Sequence, residues 1–143
     1  MKYKFTGEIK IELGVTLKRI VRISDGDLGG WIEDEKNLSQ EDDAWVFGDA
    51  SVFGDARVYG NAWVFGDARV LHGYQCIFAA NLQFHITVTP QNIVIGCYLR
   101  TYKEWMNLTC DEAVELGLER RNYKTFRELL KIFNKEATRN MND

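Results

Sequence analysis

The sequence is poor in the residues that build several common kinds of site. Its 143 residues include only two histidines, His72 and His85, three widely spaced cysteines and a single proline. Neither CxxC nor HxxxH spacing occurs, so we expect no metal site and no cofactor. No Ser-His-Asp order or kinase motif is present, and neither histidine has an obvious nucleophile beside it. We therefore expect a protein that is not an enzyme.

Long apolar runs are also missing. No stretch approaches the ~18 residues that a membrane span needs. The charged start MKYKFTGEIK lacks the apolar segment of a signal peptide. Cys76, Cys97 and Cys110 suit reduced thiols better than a disulfide framework. These absences predict a cytoplasmic protein that does not bind membranes, and the length predicts a single domain over residues 1–143.

What the sequence has instead is a repeat. From Ala44 to Val70 five units follow one another in register, reading AWVFGD, ASVFGD, ARVYGN, AWVFGD and ARV. Alanine and valine lie two residues apart in each unit, so both point to the same face of a short strand. The Gly-Asp or Gly-Asn pair that follows tolerates a tight corner. Strand and corner at a period of six predict a parallel β-helix.

The arrangement resembles the left-handed β-helix of hexapeptide-repeat proteins, in which three units make one triangular coil. Residues eighteen apart then stack along the axis. This spacing predicts that Trp45 lies over Trp63 and Phe47 over Phe65, with the tryptophans in an external aromatic ladder. Five units span fewer than two coils, so the flanking segments or another subunit must complete the core.

The flanks predict the remaining elements. The predicted boundaries are an N-terminal β-hairpin at 1–24, an acidic loop at 25–43, the β-helix at 44–79, a second β-hairpin at 80–99 and helices at 100–143. The glycine-rich segment 26–30 lacks the Lys-Ser/Thr pair of a phosphate loop, so a nucleotide-cradling role for it is disfavoured.

Helix signals are confined to the C-terminal segment. Thr101 with Glu104 and Thr109 with Glu112 form two capping boxes. Residues 123–137 then carry an apolar stripe at helical spacing. The expected fold class is mainly β: a short left-handed parallel β-helix with an N-terminal hairpin, a C-terminal hairpin and C-terminal α-helices.

Three motifs together resemble a known group of proteins. GDLGGWIE at 26–33 with EKNLS at 35–39, the A-x-V-[FY]-G-[DN] array, and the later IGC and TYKEW are similar to a family of small hexapeptide-repeat proteins of bacteriophages and prophages. That family has no well-established activity, so the resemblance implies no catalytic residue. It implies an accessory protein that interferes with, or regulates, a process of a bacterial host.

Charge is strongly segregated although the net charge is only −3. Residues 25–67 carry eleven acidic side chains against Lys36 and Arg57, a net of −9. Such a surface repels nucleic acid and attracts basic proteins. The first hypothesis is therefore an acidic surface that inhibits or modulates a host defence system by binding a basic protein such as a nuclease or CRISPR effector. Its candidate residues are Glu33, Asp34, Glu35, Glu41, Asp42, Asp43, Asp49 and Asp67.

Competing hypotheses stay open. The corner aspartates have a structural explanation of their own, because tight turns favour them. An oligomeric sponge that sequesters a nucleotide immune signal would stack bases on aromatic rings and pair phosphates with arginines. Its candidate residues are Trp45, Trp63, Tyr59, Arg57 and Arg69. A self-assembling scaffold would instead use the unpaired strand edges at the open end of the repeat. All three hypotheses predict a homo-oligomer or a complex.

Overall fold

The computed structural model describes residues 1–79 and 82–141. The strands in chain order are β1 (Tyr3–Glu12), β2 (Val15–Arg22), β3 (Leu28–Ile32), β4 (Trp45–Val46), β5 (Ser51–Val52), β6 (Trp63–Val64), β7 (Arg69–Val70), β8 (Ile77–Ala79), β9 (Ile86–Val88), β10 (Ile93–Ile95) and β11 (Tyr98–Arg100). The helices are α1 (Tyr102–Met106), α2 (Cys110–Glu115) and α3 (Tyr123–Ala137).

The N-terminal residues form an antiparallel hairpin. β1 and β2 pair through a two-residue turn in which Leu13 and Gly14 have φ angles of 52° and 77°. Two positive φ values are the backbone of a type I′ turn, whose twist matches that of the flanking strands. The pairing register shifts between Phe5 and Ile9, around Gly7. The structure thus has a hairpin at the position that the sequence indicates.

The repeat pairs in parallel at the offset of eighteen residues. Trp45 lies opposite Trp63 in the pair of β4 and β6, and Ser51 lies opposite Arg69 in the pair of β5 and β7. The alanines and valines of all five units are buried. These pairings confirm the predicted offset, but Trp45 is only 1% exposed. The external tryptophan ladder is therefore wrong for that residue.

The predicted left-handed β-helix is wrong. The described strands fall into three separate sheets, with the orders β1-β2-β3-β5-β7, β11-β10-β9-β8 and β4-β6. The first sheet mixes antiparallel pairs in β1-β2-β3 with parallel pairs in β3-β5-β7.

The short array explains why the described strands do not form a solenoid. Four units contribute two-residue strands, and the third unit makes only an isolated bridge between Leu38 and Val58. After Val70 the chain leaves the repeat geometry, because β8 pairs antiparallel with β9. The parallel stacking therefore ends before it can propagate.

A second hydrophobic cluster lies in the C-terminal part. β9 and β10 pair antiparallel on either side of Pro90, and β8 and β11 extend the sheet. The residues predicted to begin this hairpin, Ala80 and Asn81, lie outside the described residues. Ile86 and Ile93 of the sheet pack in one cluster with Phe126 of α3.

The helices begin where the capping boxes predict. Thr101 Oγ1 accepts a hydrogen bond from the Glu104 N–H at 3.1 Å, and Thr109 Oγ1 accepts one from the Glu112 N–H at 3.2 Å. The predicted stripe of α3 buries Phe126 and the residue one turn later, Leu130. Within the described residues, no helix combines the length and the apolar character that crossing a membrane requires.

Side chains of the C-terminal sheet close the open end of the repeat. The Arg69 N–H donates to Gln91 Oε1 at 2.9 Å, and Asn92 Nδ2 donates to the Phe65 carbonyl at 3.0 Å. These groups take the place that another coil would occupy in a longer array. These two hydrogen bonds satisfy one backbone N–H and one carbonyl of this edge, so fewer groups stay available for the end-to-end assembly of the scaffold hypothesis.

The glycine-rich segment has a packing role. A Cβ on Gly29 would lie 2.7 Å from side-chain atoms of both Ile20 and Trp45, and one on Gly30 would lie 2.6 Å from the Ala50 carbonyl oxygen. Real Cβ atoms do not approach other atoms so closely. The two glycines let β3 lie against the repeat, which positions the Trp45 ring beneath the hairpin.

Candidate functional site

An open cavity of about 730 Å³ lies between the repeat and its two flanks. The repeat supplies Trp45, Phe47 and Trp63, the N-terminal region supplies Lys2 and Arg22, and the acidic stretch and the C-terminal sheet complete the lining. The volume lies within the roughly 300–1,000 Å³ of small-molecule sites. The cavity depends on the tertiary fold, because its wall residues are far apart in the sequence.

Aromatic rings form one wall of this cavity. Phe47 and Trp63 meet edge to face, with ring centroids 5.9 Å apart and an interplanar angle of 74°. The Trp63 side chain is held by a hydrogen bond from its Nε1 to the Asp43 carbonyl at 3.2 Å. The residue is still 39% exposed, so part of its ring surface is open for stacking.

Trp45 is the buried anchor of the same wall. Its ring packs edge to face on Tyr3 at 6.3 Å, and the Arg22 guanidinium lies 4.6 Å from its centroid. Its indole Nε1 is buried and has no hydrogen-bond acceptor among the described residues. A buried donor without a protein partner is uncommon and calls for an acceptor from water or a ligand.

Lys2 and Asp42 form an ion pair at the cavity. Lys2 Nζ lies 3.6 Å from Asp42 Oδ1 and donates to the carbonyl oxygens of Asp42 at 2.8 Å and Ala44 at 2.6 Å. Burial lowers the pKa of Lys2, and the Asp42 carboxylate opposes this effect. Burial also acts to raise the pKa of Asp42, but hydrogen bonds from the Gly60 and Ala44 N–H groups outweigh it and lower that pKa.

Arg22 is the second cation of the cavity. Its Nη1 lies 3.1 Å from Asp25 and 3.9 Å from Asp27 in the exposed turn beside the cavity. With Lys2, Asp42 and Asp43, the lining holds two basic and two acidic side chains. The positive and negative charges of the lining therefore balance, and the cavity is not a basic phosphate-binding site.

The C-terminal sheet supplies the opposite side. Thr87 Oγ1 accepts a hydrogen bond from the Trp63 N–H at 3.4 Å, which ties this sheet to β6. His85 is exposed in the lining, and its carbonyl accepts from the Gly96 N–H at 3.0 Å. Cys97 also lines the cavity and is exposed.

Several of the predicted acidic partner-binding residues serve the fold. Glu33 Oε1 accepts a hydrogen bond from the Gly54 N–H at 2.9 Å, and Asp34 Oδ1 accepts one from the Lys36 N–H at 2.8 Å. Asp42 caps the Gly60 corner in the same way. For these carboxylates the turn-geometry explanation has direct support.

The remaining predicted acids stay on the surface without a shared site. Glu35, Glu41, Asp43, Asp49 and Asp67 are all exposed. Asp49 and Asp67 follow β4 and β6, whereas Glu35 lies between β3 and β4. Only Asp43 of this group lines the cavity.

The predicted nucleotide-binding residues divide into two groups. Trp45 and Trp63 line the cavity, but Tyr59 is 68% exposed and lies outside its lining, as does the exposed Arg57. Arg69 pairs with Glu12, with Nε 2.6 Å from Oε1, and is also absent from the lining.

Sequence reasoning missed the cationic residues of this site. Lys2 and Arg22 lie in a hairpin with no recognisable motif, and His85 belongs to an ordinary alternating segment. Asp42 was predicted as an acidic partner-binding residue. Its capping role had one available signal, because it precedes Gly60 by the same eighteen residues that relate the stacked units. No local pattern indicates that these segments meet.

No protein-family model, curated protein or solved structure significantly matches the chain. Among the described residues, no group of three or more His, Cys, Asp or Glu side chains is arranged to hold a metal ion. The function must therefore follow from the cavity and the groups that line it.

Proposed function

We propose that this protein is a non-enzymatic binding protein that holds a small planar molecule, with a nucleobase as its recognition group, in the cavity beside Trp45, Phe47 and Trp63. The observation that carries the proposal is an open cavity of about 730 Å³ with an aromatic wall and polar groups of both signs. Stacking of a base on an aromatic side chain contributes roughly 1–3 kcal/mol.

The polar lining favours a base over an apolar ligand. A nucleobase edge carries both hydrogen-bond donors and acceptors. The Asp43 carboxylate accepts, the Asn61 amide does both, and the His85 ring offers one donor and one acceptor when neutral. Lys2 and Arg22 lie at the same cavity, but each is paired with a carboxylate, so the site favours the base of a ligand over its phosphate.

The biological setting comes from the sequence motifs. In that setting the protein is a phage-type accessory protein in the cytoplasm of a bacterial host, where it sequesters a nucleotide signal of host defence. The acidic stretch of residues 25–67 disfavours direct binding to nucleic acid, so a free nucleotide is the better ligand.

Isothermal titration calorimetry with nucleosides, their 5′-monophosphates and cyclic dinucleotides tests the proposal. We expect at least one of these probes to bind the full chain and Trp63→Ala to weaken that binding by roughly 10-fold or more, the loss of one stacking contact. The matched control is Tyr59→Ala, which removes an exposed aromatic ring outside the cavity and should leave affinity unchanged. Binding by none of the probes, or equal loss in both variants, would contradict the proposal.

Native mass spectrometry of the protein purified from a bacterial host gives an independent readout. A retained small molecule with a nucleotide mass, absent from the Trp63→Ala variant, is the expected result. If the Trp63→Ala variant still retains the molecule, the binding site lies away from the aromatic wall.

A second candidate function is the acidic decoy that binds a basic host protein. The observation in its favour is that Glu35 and Glu41 are exposed and make no side-chain hydrogen bond or ion pair among the described residues. Charge reversal at Glu33 and Asp34 would also disturb the fold, because both side chains accept hydrogen bonds from backbone N–H groups.

Glu35 and Glu41 provide the cleaner test of the acidic-decoy hypothesis. Glu35→Lys with Glu41→Lys should abolish capture of a basic protein from a bacterial lysate while the melting temperature stays nearly unchanged. Glu115→Lys with Glu128→Lys is the control, since it reverses two exposed carboxylates on the C-terminal helices, of which Glu128 makes an exposed ion pair with Lys131 at 3.8 Å. Equal capture by both double variants would contradict the acidic-decoy hypothesis.

A further inference from the structure

We propose that β1 is a dimerisation strand: two copies of the chain pair antiparallel along it, centred on Ile11, and join their five-stranded sheets. This inference does not rest on the proposed ligand, because β1 contributes no residue to the cavity lining. It names a second edge for the homo-oligomer that the sequence predicts, besides the open end of the repeat.

β1 is the longer edge of the five-stranded sheet. The other edge, β7, has two residues, and its Arg69 N–H is already satisfied by Gln91. β1 has ten residues and pairs only with β2. An edge strand of this length presents a row of unpaired backbone groups that another strand can use.

The hairpin geometry shows which backbone groups point outward. Glu12 and Val15 flank the two-residue type I′ turn, so they form the hydrogen-bonded pair next to it. Alternation along the strand then directs the N–H and C=O groups of Ile11 and Ile9 away from β2. Neither N–H has a hydrogen-bond acceptor among the described residues outside the strand ladder.

The side chains of the same segment form an exposed apolar row. Ile9 is 64% exposed, Ile11 is 74% exposed, and Leu13 at the turn is 73% exposed. Natural sheet edges are usually protected by charged residues or proline on the exposed positions. Lys4, Glu8 and the register shift protect the first part of β1 in this way. From Ile9 onward the exposed positions carry large aliphatic groups, which a second copy of the row would partly cover.

Charge complementarity selects the register. Pairing centred on Ile11 places Ile9 opposite the partner's Leu13 and Lys10 opposite the partner's Glu12, and the same contacts recur by symmetry. Within one chain Lys10 Nζ already lies 3.3 Å from Glu12 Oε2, and Arg69 Nε lies 2.6 Å from Glu12 Oε1, so the partner's Lys10 would extend an existing group of alternating charges. Pairing centred on Lys10 would instead place two lysines face to face. Like charges directly opposite each other destabilise a pair of strands, and opposite charges stabilise it. The register shift around Gly7 keeps the regular segment to the residues after it.

Disulfide cross-linking tests both the dimer and its register. In a Cys97→Ser background, Ile11→Cys places two sulfurs at directly opposite positions, where Cα atoms are roughly 5.5 Å apart and a disulfide can form. Ile9→Cys is the matched control, because the two copies of residue 9 would lie about 14 Å apart along the strands. We expect a disulfide between the two copies of residue 11 in peptide mapping and little or none at residue 9.

Analytical ultracentrifugation of the full chain gives the second measurement. Wild type should show a concentration-dependent dimer, and Ile11→Lys should weaken it by about tenfold or more. Ile132→Lys, which alters an exposed isoleucine on α3, should leave the dimer unchanged. A monomeric wild type without cross-linking at residue 11 would overturn the proposal. So would a dimer that Ile11→Lys leaves intact, since the interface would then lie elsewhere.

The dimer interface and the ligand cavity can be tested independently of each other. Loss of the dimer in Ile11→Lys with nucleotide binding retained supports the β1 interface alone. Nucleotide binding without any dimer leaves the cavity as a site in the monomer.

Discussion

The ring of Phe47 stacks on the ring of Phe65, with centroids 4.0 Å apart and planes only 4° from parallel. The two residues are eighteen positions apart and occupy the same place in their repeat units. Their contact shows that the hexapeptide pattern sets side-chain register even though the sheets do not form a β-helix. It also lies beside the Phe47–Trp63 contact of the cavity wall.

This stack should contribute measurably to stability. Phe65→Leu keeps an apolar side chain of similar size but removes the ring-on-ring contact, so we expect the free energy of unfolding to fall by about 1 kcal/mol. Urea denaturation of the variant measures the change. Tyr59→Leu is the control, because Tyr59 is 68% exposed and should change stability little. A drop of equal size in both variants would mean that the stack contributes nothing specific.

Gly30 should not tolerate a side chain. A Cβ at this position would lie 2.6 Å from the Ala50 carbonyl oxygen and 2.7 Å from Val46 Cγ1. Because backbone must move to relieve the first contact, Gly30→Ala should destabilise the protein by roughly 1–3 kcal/mol. Gly73→Ala is the control, since a Cβ on Gly73 meets no atom within 4 Å. Thermal unfolding, monitored by circular dichroism, compares the two variants. If Gly30→Ala leaves the melting temperature unchanged, β3 does not lie so close to the repeat.

Val58 tests whether the third unit of the repeat is core. Its side chain is 1% exposed and lies in the first hydrophobic cluster, so Val58→Asp would bury an unpaired charge. We expect that variant to fail to fold, measured as loss of cooperative unfolding and of soluble yield. Tyr59→Asp introduces the same charge one residue later, on an exposed side chain, and should fold. A stable Val58→Asp protein would contradict the placement of the third unit.

Asp42 should make the protein acid-sensitive. Its pKa is lowered in the folded state, because hydrogen bonds from Gly60 and Ala44 outweigh the effect of burial. A carboxyl group of this kind stabilises the fold above its unfolded pKa and loses that contribution as pH falls through the lower folded value. The loss should therefore begin near the ordinary value of 3.8 and continue below it.

Melting temperatures measured between about pH 2 and pH 6 check this expectation. Asp42→Asn should lower the melting temperature near neutral pH and flatten its decline in acid. The control is Asp49→Asn, which alters an exposed corner aspartate without a resolved hydrogen bond of its side chain. Identical pH profiles for Asp42→Asn and wild type would show that Asp42 is not the group responsible.

Local patterns predicted the local features well. The Ala-x-Val spacing identified the buried face of the repeat, the period of six identified the offset of eighteen, and the capping boxes at Thr101 and Thr109 identified two helix starts. Each of these features depends on residues close together in the chain. Their physical causes, side-chain alternation and satisfaction of helix N–H groups, are encoded within a few positions.

The fold class and the candidate site could not be derived in this way. Whether five units continue into a solenoid depends on what pairs with their outer edges, and here β3 takes one edge while Gln91 and Asn92 cap the other. The prediction of a β-helix failed because the repeat alone does not specify those partners. The exposure of Trp45 was misjudged for the same reason, since the ring is covered by Tyr3 and Arg22 from a distant hairpin.

The sequence by itself determined the repeat register, the buried valines and alanines, the helix starts and the acidic middle of the chain. Only the tertiary structure decided that Lys2, Arg22, Trp45, Trp63 and His85 surround one cavity. The physical reason is the range of the forces involved. Periodicity and capping act between neighbours in the chain, whereas a cavity is the space left when separate segments bury their apolar faces against one another.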